Sequence, residues 1–108
     1  MSKQSNESTN QQASAEQEVR LSSQWEIAKK LYAAHRLLVN SPPLSRTKIV
    51  AFLQQTFDDF KRAGGNVQTG TDIFGQVGPV LRCENGTEVP YDAGRMLADD
   101  YLSRGLFR

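Results

Sequence analysis

The amino-acid sequence predicts an α+β fold: an antiparallel helical hairpin followed by a short β-hairpin and a C-terminal helix. Three observations predict it. Apolar residues recur at helical spacing on both sides of Asn40-Ser41-Pro42-Pro43. Two β-prone runs flank Asn85-Gly86. A last helical pattern opens at Asp92 and stops at Gly105. The chain has 108 residues, which allows one small domain. Its net charge of +1 supplies no general field for nucleic acid or an anionic membrane.

Residues 1–21 are rich in Ser, Gln, Asn and Glu and nearly free of large apolar side chains. Such a segment buries too little apolar surface to offset its ordering entropy, so a disordered polar tail is expected there. Residues 22–108 are expected to form the single folded domain.

The first helix is predicted over Gln24–Val39, with Ser23 and Glu26 spaced as a capping box. Trp25, Ala28, Leu31, Tyr32, His35, Leu38 and Val39 follow helical spacing, and Ile27, Ala34 and Leu37 widen the apolar surface. One neighbouring helix does not cover so broad a surface. Pro42 and Pro43 then push the residues before them out of helical geometry.

The second helix is predicted over Arg46–Ala63, with Ser45 as N-cap and Gly64-Gly65 as its stop. Ile49, Leu53, Phe57 and Phe60 form its core stripe, and Val50 and Phe52 lie to either flank. A short linker makes two such helices antiparallel neighbours. Residues 66–78 read as a Gly- and Thr-rich loop anchored by Val67, Ile73, Phe74 and Val77, with a short strand near Asn66–Thr69. The runs around Asn85-Gly86 predict a hairpin with a type I′ turn, and Pro90, lacking an N–H, belongs at an open edge. The third helix is expected from Asp92, as N-cap, to Ser103. Its apolar face is Met96, Leu97, Tyr101 and Leu102, with Ala93 and Ala98 beside them. Leu106 and Phe107 follow, where apolar residues either pack back or bind a partner.

The residues offer no constellation for catalysis. His35 is the one histidine; a general base is the other reading, but with no nucleophile or carboxylate spaced to meet it, it reads as a half-buried interface residue. Cys83 is the one cysteine, which excludes an intrachain disulfide and fits a reducing compartment. It falls in a predicted strand beside only Arg82, so a packed thiol is expected rather than a reactive one. One His and one Cys do not build a zinc site. Asp58-Asp59 and Asp99-Asp100 diverge by about 100° on their helices and so do not converge on a cation. Gly70, Gly75 and Gly78 lack the Gly-Lys-Ser/Thr of a phosphate loop. No cofactor and no metal are therefore expected. A helix-turn-helix is the remaining DNA-binding possibility, with Arg46 and Lys48 opening its second helix, but Phe52, Phe57 and Phe60 occupy the faces that would read bases. No apolar run approaches membrane-spanning length and the N-terminal residues hold no apolar signal core, so a cytoplasmic location is expected.

Leu37-Leu38-Val39-Asn40-Ser41-Pro42 closes one helix, a basic helix follows and ends in Phe57-Asp58-Asp59-Phe60, and an Asn-Gly hairpin comes later. Over Trp25 to Tyr91 this resembles a family of small pseudomonad and phage proteins that includes a quorum-sensing anti-activator of a LuxR-type transcription factor. The chain departs from that pattern in its longer polar N-terminal segment, the glycine-rich stretch at 64–78 and the added C-terminal helix. The resemblance implies a non-enzymatic regulator that sequesters a transcription factor by protein–protein contact. The alternatives are a homodimeric domain with another partner and a DNA-binding regulator. Apolar residues that one helical hairpin leaves uncovered are the expected contacts: Leu31, Leu38, Phe52, Tyr91, Leu106 and Phe107. A homodimer is also expected, from the same surplus apolar surface.

Overall fold

The computed structural model describes residues 2–40, 44–71 and 77–108, with side chains from residue 15 onward. Helix α1 (Ser2–Asn40) is followed by α2 (Arg46–Arg62), strands β1 (Asn66–Thr71), β2 (Val77–Arg82) and β3 (Glu88–Val89), a single 3₁₀ turn (Tyr91–Gly94) and α3 (Arg95–Ser103). The class is α+β: two packed helices, a three-stranded antiparallel sheet in the order β1-β2-β3, and a C-terminal helix. The Ser41-Pro42-Pro43 break and the Ile73 and Phe74 anchors lie outside the described residues.

Helix α1 begins at Ser2, within the segment for which a polar tail is expected, and Ser23 sits inside the helix rather than capping it. The chain has no Gly or Pro before Pro42, so nothing in the sequence stops the helix. Extending a helix already nucleated adds one hydrogen bond per residue fixed. Glu26 pairs with Lys29 at 2.9 Å instead of reaching back to Ser23. At about 1.5 Å per residue, α1 sets the 64 Å long axis of the molecule. Residues 15–20 are all exposed, and packing begins at Leu21.

From Leu21 onward α1 is the hub. Ala28, Leu31, Tyr32, Ala33, Ala34 and Leu37 are buried against α2, the sheet and α3. The run of three alanines, two of them adjacent, is what lets other elements approach its axis. Val39, expected on the apolar stripe, is exposed one residue before the helix ends.

The bounds of α2 follow the sequence closely. The Ser45 hydroxyl accepts the Lys48 N–H at 3.3 Å, closing the N-terminus. At the other end Gly64 N–H reaches the Lys61 carbonyl and Gly65 N–H the Phe60 carbonyl. This is the Schellman arrangement, and it places Gly64 at φ 104°, which a side chain resists. Ile49, Leu53, Thr56 and Phe60 face the core, while Phe57 is only partly covered. Thr56 tolerates burial because its hydroxyl donates to the Phe52 carbonyl at 2.6 Å.

In the sheet, Val67, Leu81 and Val89 stand in register across the three strands and turn inward. The Tyr32 hydroxyl of α1 accepts the Leu81 N–H at 2.9 Å, joining helix to sheet inside the core. Burial pushes the Tyr32 phenol above its ordinary range. The strand expected near Asn66–Thr69 exists and runs on to Thr71. β3 is the short edge strand, ending before Pro90.

The hairpin turn differs from the expected type I′. Gly86 N–H reaches the Cys83 carbonyl, Cys83 N–H reaches the Thr87 carbonyl, and only Gly86 of the turn has positive φ, at 88°. This is a tight turn with a glycine bulge. The Asn85 side chain decides it: its Oδ1 accepts the Thr87 N–H at 3.0 Å, which holds Asn85 out of the left-handed region. Cys83 consequently lies just past β2 at the turn, where it is buried and its thiol is pushed up by that burial.

The third helix is also rearranged. Asp92 is not its N-cap; it lies in the first turn of the 3₁₀ segment, 3.6 Å from Arg36. Gly94 then passes directly over α1, where a Cβ would come within 2.6 Å of the Ala33 nitrogen and 2.9 Å of the Lys29 carbonyl oxygen. This contact rotates α3 relative to the expected face: Ala98 and Tyr101 are buried, and Met96 is 84% exposed.

Candidate functional site

The elements converge on one aromatic patch. Phe52 on α2, Tyr101 on α3 and Phe107 beyond it form a closed triangle of edge-to-face rings. The centroids are 5.9 Å apart for Phe52–Tyr101, 5.3 Å for Phe52–Phe107 and 5.9 Å for Tyr101–Phe107. Each such contact contributes about 0.5–1.5 kcal/mol beyond area burial. Phe52 reaches this place because it lies off the core stripe of α2, on the flank facing α3.

The turn after α3 sets the patch. Gly105 N–H meets the Leu102 carbonyl and Leu106 N–H the Tyr101 carbonyl, a second Schellman closure with Gly105 at φ 72°. The chain then doubles back, and the Phe107 carbonyl accepts the Ser45 N–H at the start of α2. Lys48 Nζ donates to the Arg108 carbonyl oxygen at 2.7 Å. The basic first turn of α2, unfavourable against the helix dipole, thus has a local partner. Phe107 takes φ 66°, the one non-glycine residue with positive φ among those described. A bulky side chain there costs about 1–3 kcal/mol. That strained backbone places its ring in the triangle. Leu102 and Leu106, next in the chain to Tyr101 and Phe107, are open to solvent, 39% and 41% exposed.

The six expected contact residues therefore separate. Phe52 and Phe107 come together, and Leu106, which precedes Phe107 in the chain, is exposed. Leu31 is fully buried and belongs to the core, because α1 turns that face toward α2, α3 and the sheet at once. Leu38 is partly buried against the core.

Tyr91 lies in a different cluster. Its hydroxyl shares a hydrogen bond with His35 Nδ1 at 3.0 Å, its ring meets Tyr32 edge-on at 5.2 Å, and the Arg36 guanidinium lies 5.6 Å from its centroid. His35 is partly buried, as its lone position on an apolar face implied, and that desolvation lowers its pKa below the usual 6.5.

Gln24 carries no functional signal in the sequence beyond its helical spacing. It is fully buried, yet its Nε2 donates to the Ala63 carbonyl at 2.7 Å and to Glu84 Oε1 at 3.1 Å, and its Oε1 accepts the Glu84 N–H at 2.9 Å. One amide thus joins α1, the end of α2 and the hairpin turn. Arg20 meets the same carboxylate at 2.8 Å, and this hydrogen bond holds the Glu84 pKa below the usual carboxylate range. The signal available in the sequence was its position four residues before Ala28 on the core stripe.

Among the described residues, no three His, Cys, Asp or Glu side chains group as a metal site. Likewise among them, no helix is long and apolar enough to cross a membrane. A shallow, open depression of about 410 Å³ runs over Arg46, Thr47, Val50, Ala51 and Gln54, all on the outer face of α2. Compared with known protein families, curated proteins and solved structures, the chain matches none.

Proposed function

We propose that this protein is a non-enzymatic regulator, acting in the cytoplasm, that binds a transcription factor and withholds it from its own partners. The contact face is the rim of the aromatic patch: Phe52, Leu102, Leu106 and Phe107. One observation carries the reading. Phe107 holds a conformation that bulky residues avoid, and the result is a pair of partly buried rings, Phe52 and Phe107, packed on the buried Tyr101 at the margin of the core, while Leu102 and Leu106, next to Tyr101 and Phe107 in the chain, stay exposed. Strain of this kind persists where the surroundings over-determine it, commonly at ligand clamps and binding sites. Rigid aromatic anchors ringed by aliphatic side chains also suit protein partners, since they present much contact area with little rotamer entropy to lose. The partner's class, a LuxR-type activator, follows from the resemblance over Trp25–Tyr91.

The test is light scattering coupled to size exclusion, with the purified protein mixed with a LuxR-type receptor domain. A mixed complex that persists at high salt is expected, because an apolar interface responds weakly to screening. Leu106→Arg, with unchanged far-UV dichroism, is expected to abolish it. Absence of any complex, or a complex indifferent to Leu106→Arg, refutes the proposal. Binding to duplex DNA that falls steeply with salt would favour the DNA-binding alternative instead.

A further inference from the structure

Asn85 sits at the tip of the hairpin and is the one asparagine of the chain followed by glycine. Asn85 and Gly86 are both exposed. Asparagine is a thermolabile side chain. A glycine after it leaves the next main-chain nitrogen with no neighbouring side chain to hinder attack on the asparagine amide. In the observed turn both reacting groups are engaged elsewhere. The Gly86 N–H donates to the Cys83 carbonyl at 2.9 Å, and Asn85 Oδ1 accepts the Thr87 N–H at 3.0 Å. The first bond keeps the proton on the attacking nitrogen, and the second fixes the amide it would attack. One residue earlier, the Glu84 N–H donates to Gln24 Oε1 at 2.9 Å, and the Glu84 carboxylate meets Arg20 at 2.8 Å. The turn is thus tied to α1 through the residue next to its asparagine.

We propose that Asn85 is a self-modification site whose rate is set by how often this turn opens. In the open turn, hydroxide takes the Gly86 N–H proton and the nitrogen bonds to Asn85 Cγ. The C–N bond of the side-chain amide breaks, and ammonia leaves after taking a proton from water. Water then adds to either carbonyl of the cyclic imide, giving an aspartate or an isoaspartate at position 85. Water is consumed and ammonia released, with no oxidation or reduction. Either product sets a new carboxylate beside Glu84. The isoaspartate also adds a carbon to the main chain before Gly86, so the Gly86–Cys83 and Cys83–Thr87 hydrogen bonds no longer fit one turn. That loosens the grip of Gln24 on Glu84, and with it the tie between α1 and the hairpin. The change runs one way, so the modified fraction records the age of the chain and the time its turn spends open.

Mass spectrometry of the whole protein, aged in mildly alkaline buffer and then digested to map the site, tests the proposal. A parallel sample in urea supplies the open chain. Deamidation at Asn85 is expected to accumulate in the folded protein about tenfold or more slowly than in urea, because the turn must open first. Labelling by an isoaspartyl methyltransferase reports the isoaspartate. Gln24→Met, which frees the Glu84 N–H, is expected to speed the reaction severalfold in the folded protein and to leave the rate in urea unchanged. Asn85→Gln is expected to remove the mass gain at that position. The modified fraction, separated by ion exchange, is expected to unfold at lower urea than the unmodified one. A folded protein that reacts as fast as the urea sample overturns the proposal, and this comparison needs no variant to fold. So does a folded protein that stays unmodified while the urea sample is consumed, or a folded Gln24→Met variant that reacts at the wild-type rate.

Discussion

Replacing Gln24 by methionine isolates the polar clamp. Methionine matches glutamine in length and helix propensity, so it keeps the shape of α1 and removes only the hydrogen bonds. Two of these reach main-chain groups: Nε2 to the Ala63 carbonyl at 2.7 Å and Oε1 from the Glu84 N–H at 2.9 Å. At about 1 kcal/mol each they give about 2 kcal/mol, and stranding those groups beside a fully apolar side chain adds about 1 more. The greater apolarity of methionine at a buried site offsets about 1 kcal/mol. The expected net loss is about 2 kcal/mol. With a urea slope of about 1.3 kcal/mol per molar, the midpoint falls by about 1.5 M, followed by far-UV dichroism. The slope itself should not change. A midpoint within about 0.3 M of wild type would refute the reasoning, because the amide would then not be holding the three elements together.

Other expectations follow from the same contacts. Gly94→Ala forces a Cβ against the α1 backbone and should cost about 2–3 kcal/mol, lowering the melting temperature by about 10 °C or more. Leu31→Ala should cost about 3 kcal/mol in urea unfolding, as a core residue does, rather than affecting only partner binding. His35 has its pKa lowered by desolvation, so the unfolded chain binds more protons just below the unfolded value. The stability it contributes is complete above pH 6.5 and is lost as pH falls through the lower folded value. Melting temperatures measured from pH 7.5 to 5 should therefore decline, and His35→Gln should flatten that decline.

Much of the molecule is readable from short-range chemistry. The α2 bounds follow from the Ser45 hydroxyl and from Gly64-Gly65, because a cap needs only residues within one turn of it. The hairpin is legible for the same reason, yet its turn type is not. Asn85 and Gly86 satisfy a type I′ turn as a pair, and the Asn85 side-chain bond to Thr87 selects the bulged form. The start of α1 is not legible in the sequence: residues 1–21 are polar enough to suggest a tail, yet they hold no helix-breaking residue, and α1 begins at Ser2. The third helix is expected from Asp92, whereas α3 begins at Arg95 after a 3₁₀ turn, and of its expected apolar face Tyr101 is buried while Met96 and Leu102 are exposed.

By itself, the sequence determined the α+β class, the bounds of α2 and the position of the Asn85-Gly86 turn, since each depends on neighbours in the chain. It also singled out Phe52, Leu106 and Phe107 as apolar side chains that a helical hairpin does not cover. Tertiary structure alone decided that Phe52 and Phe107 touch Tyr101, that Leu31 is core, and that Tyr91 belongs with His35 and Arg36. It also decided that Gln24 binds residues 39 and 60 positions away. The reason is geometric. Periodicity reports which side of a helix is apolar, while the partner met by that side depends on how far each neighbour can approach, and here Gly94 and the alanines of α1 set that distance.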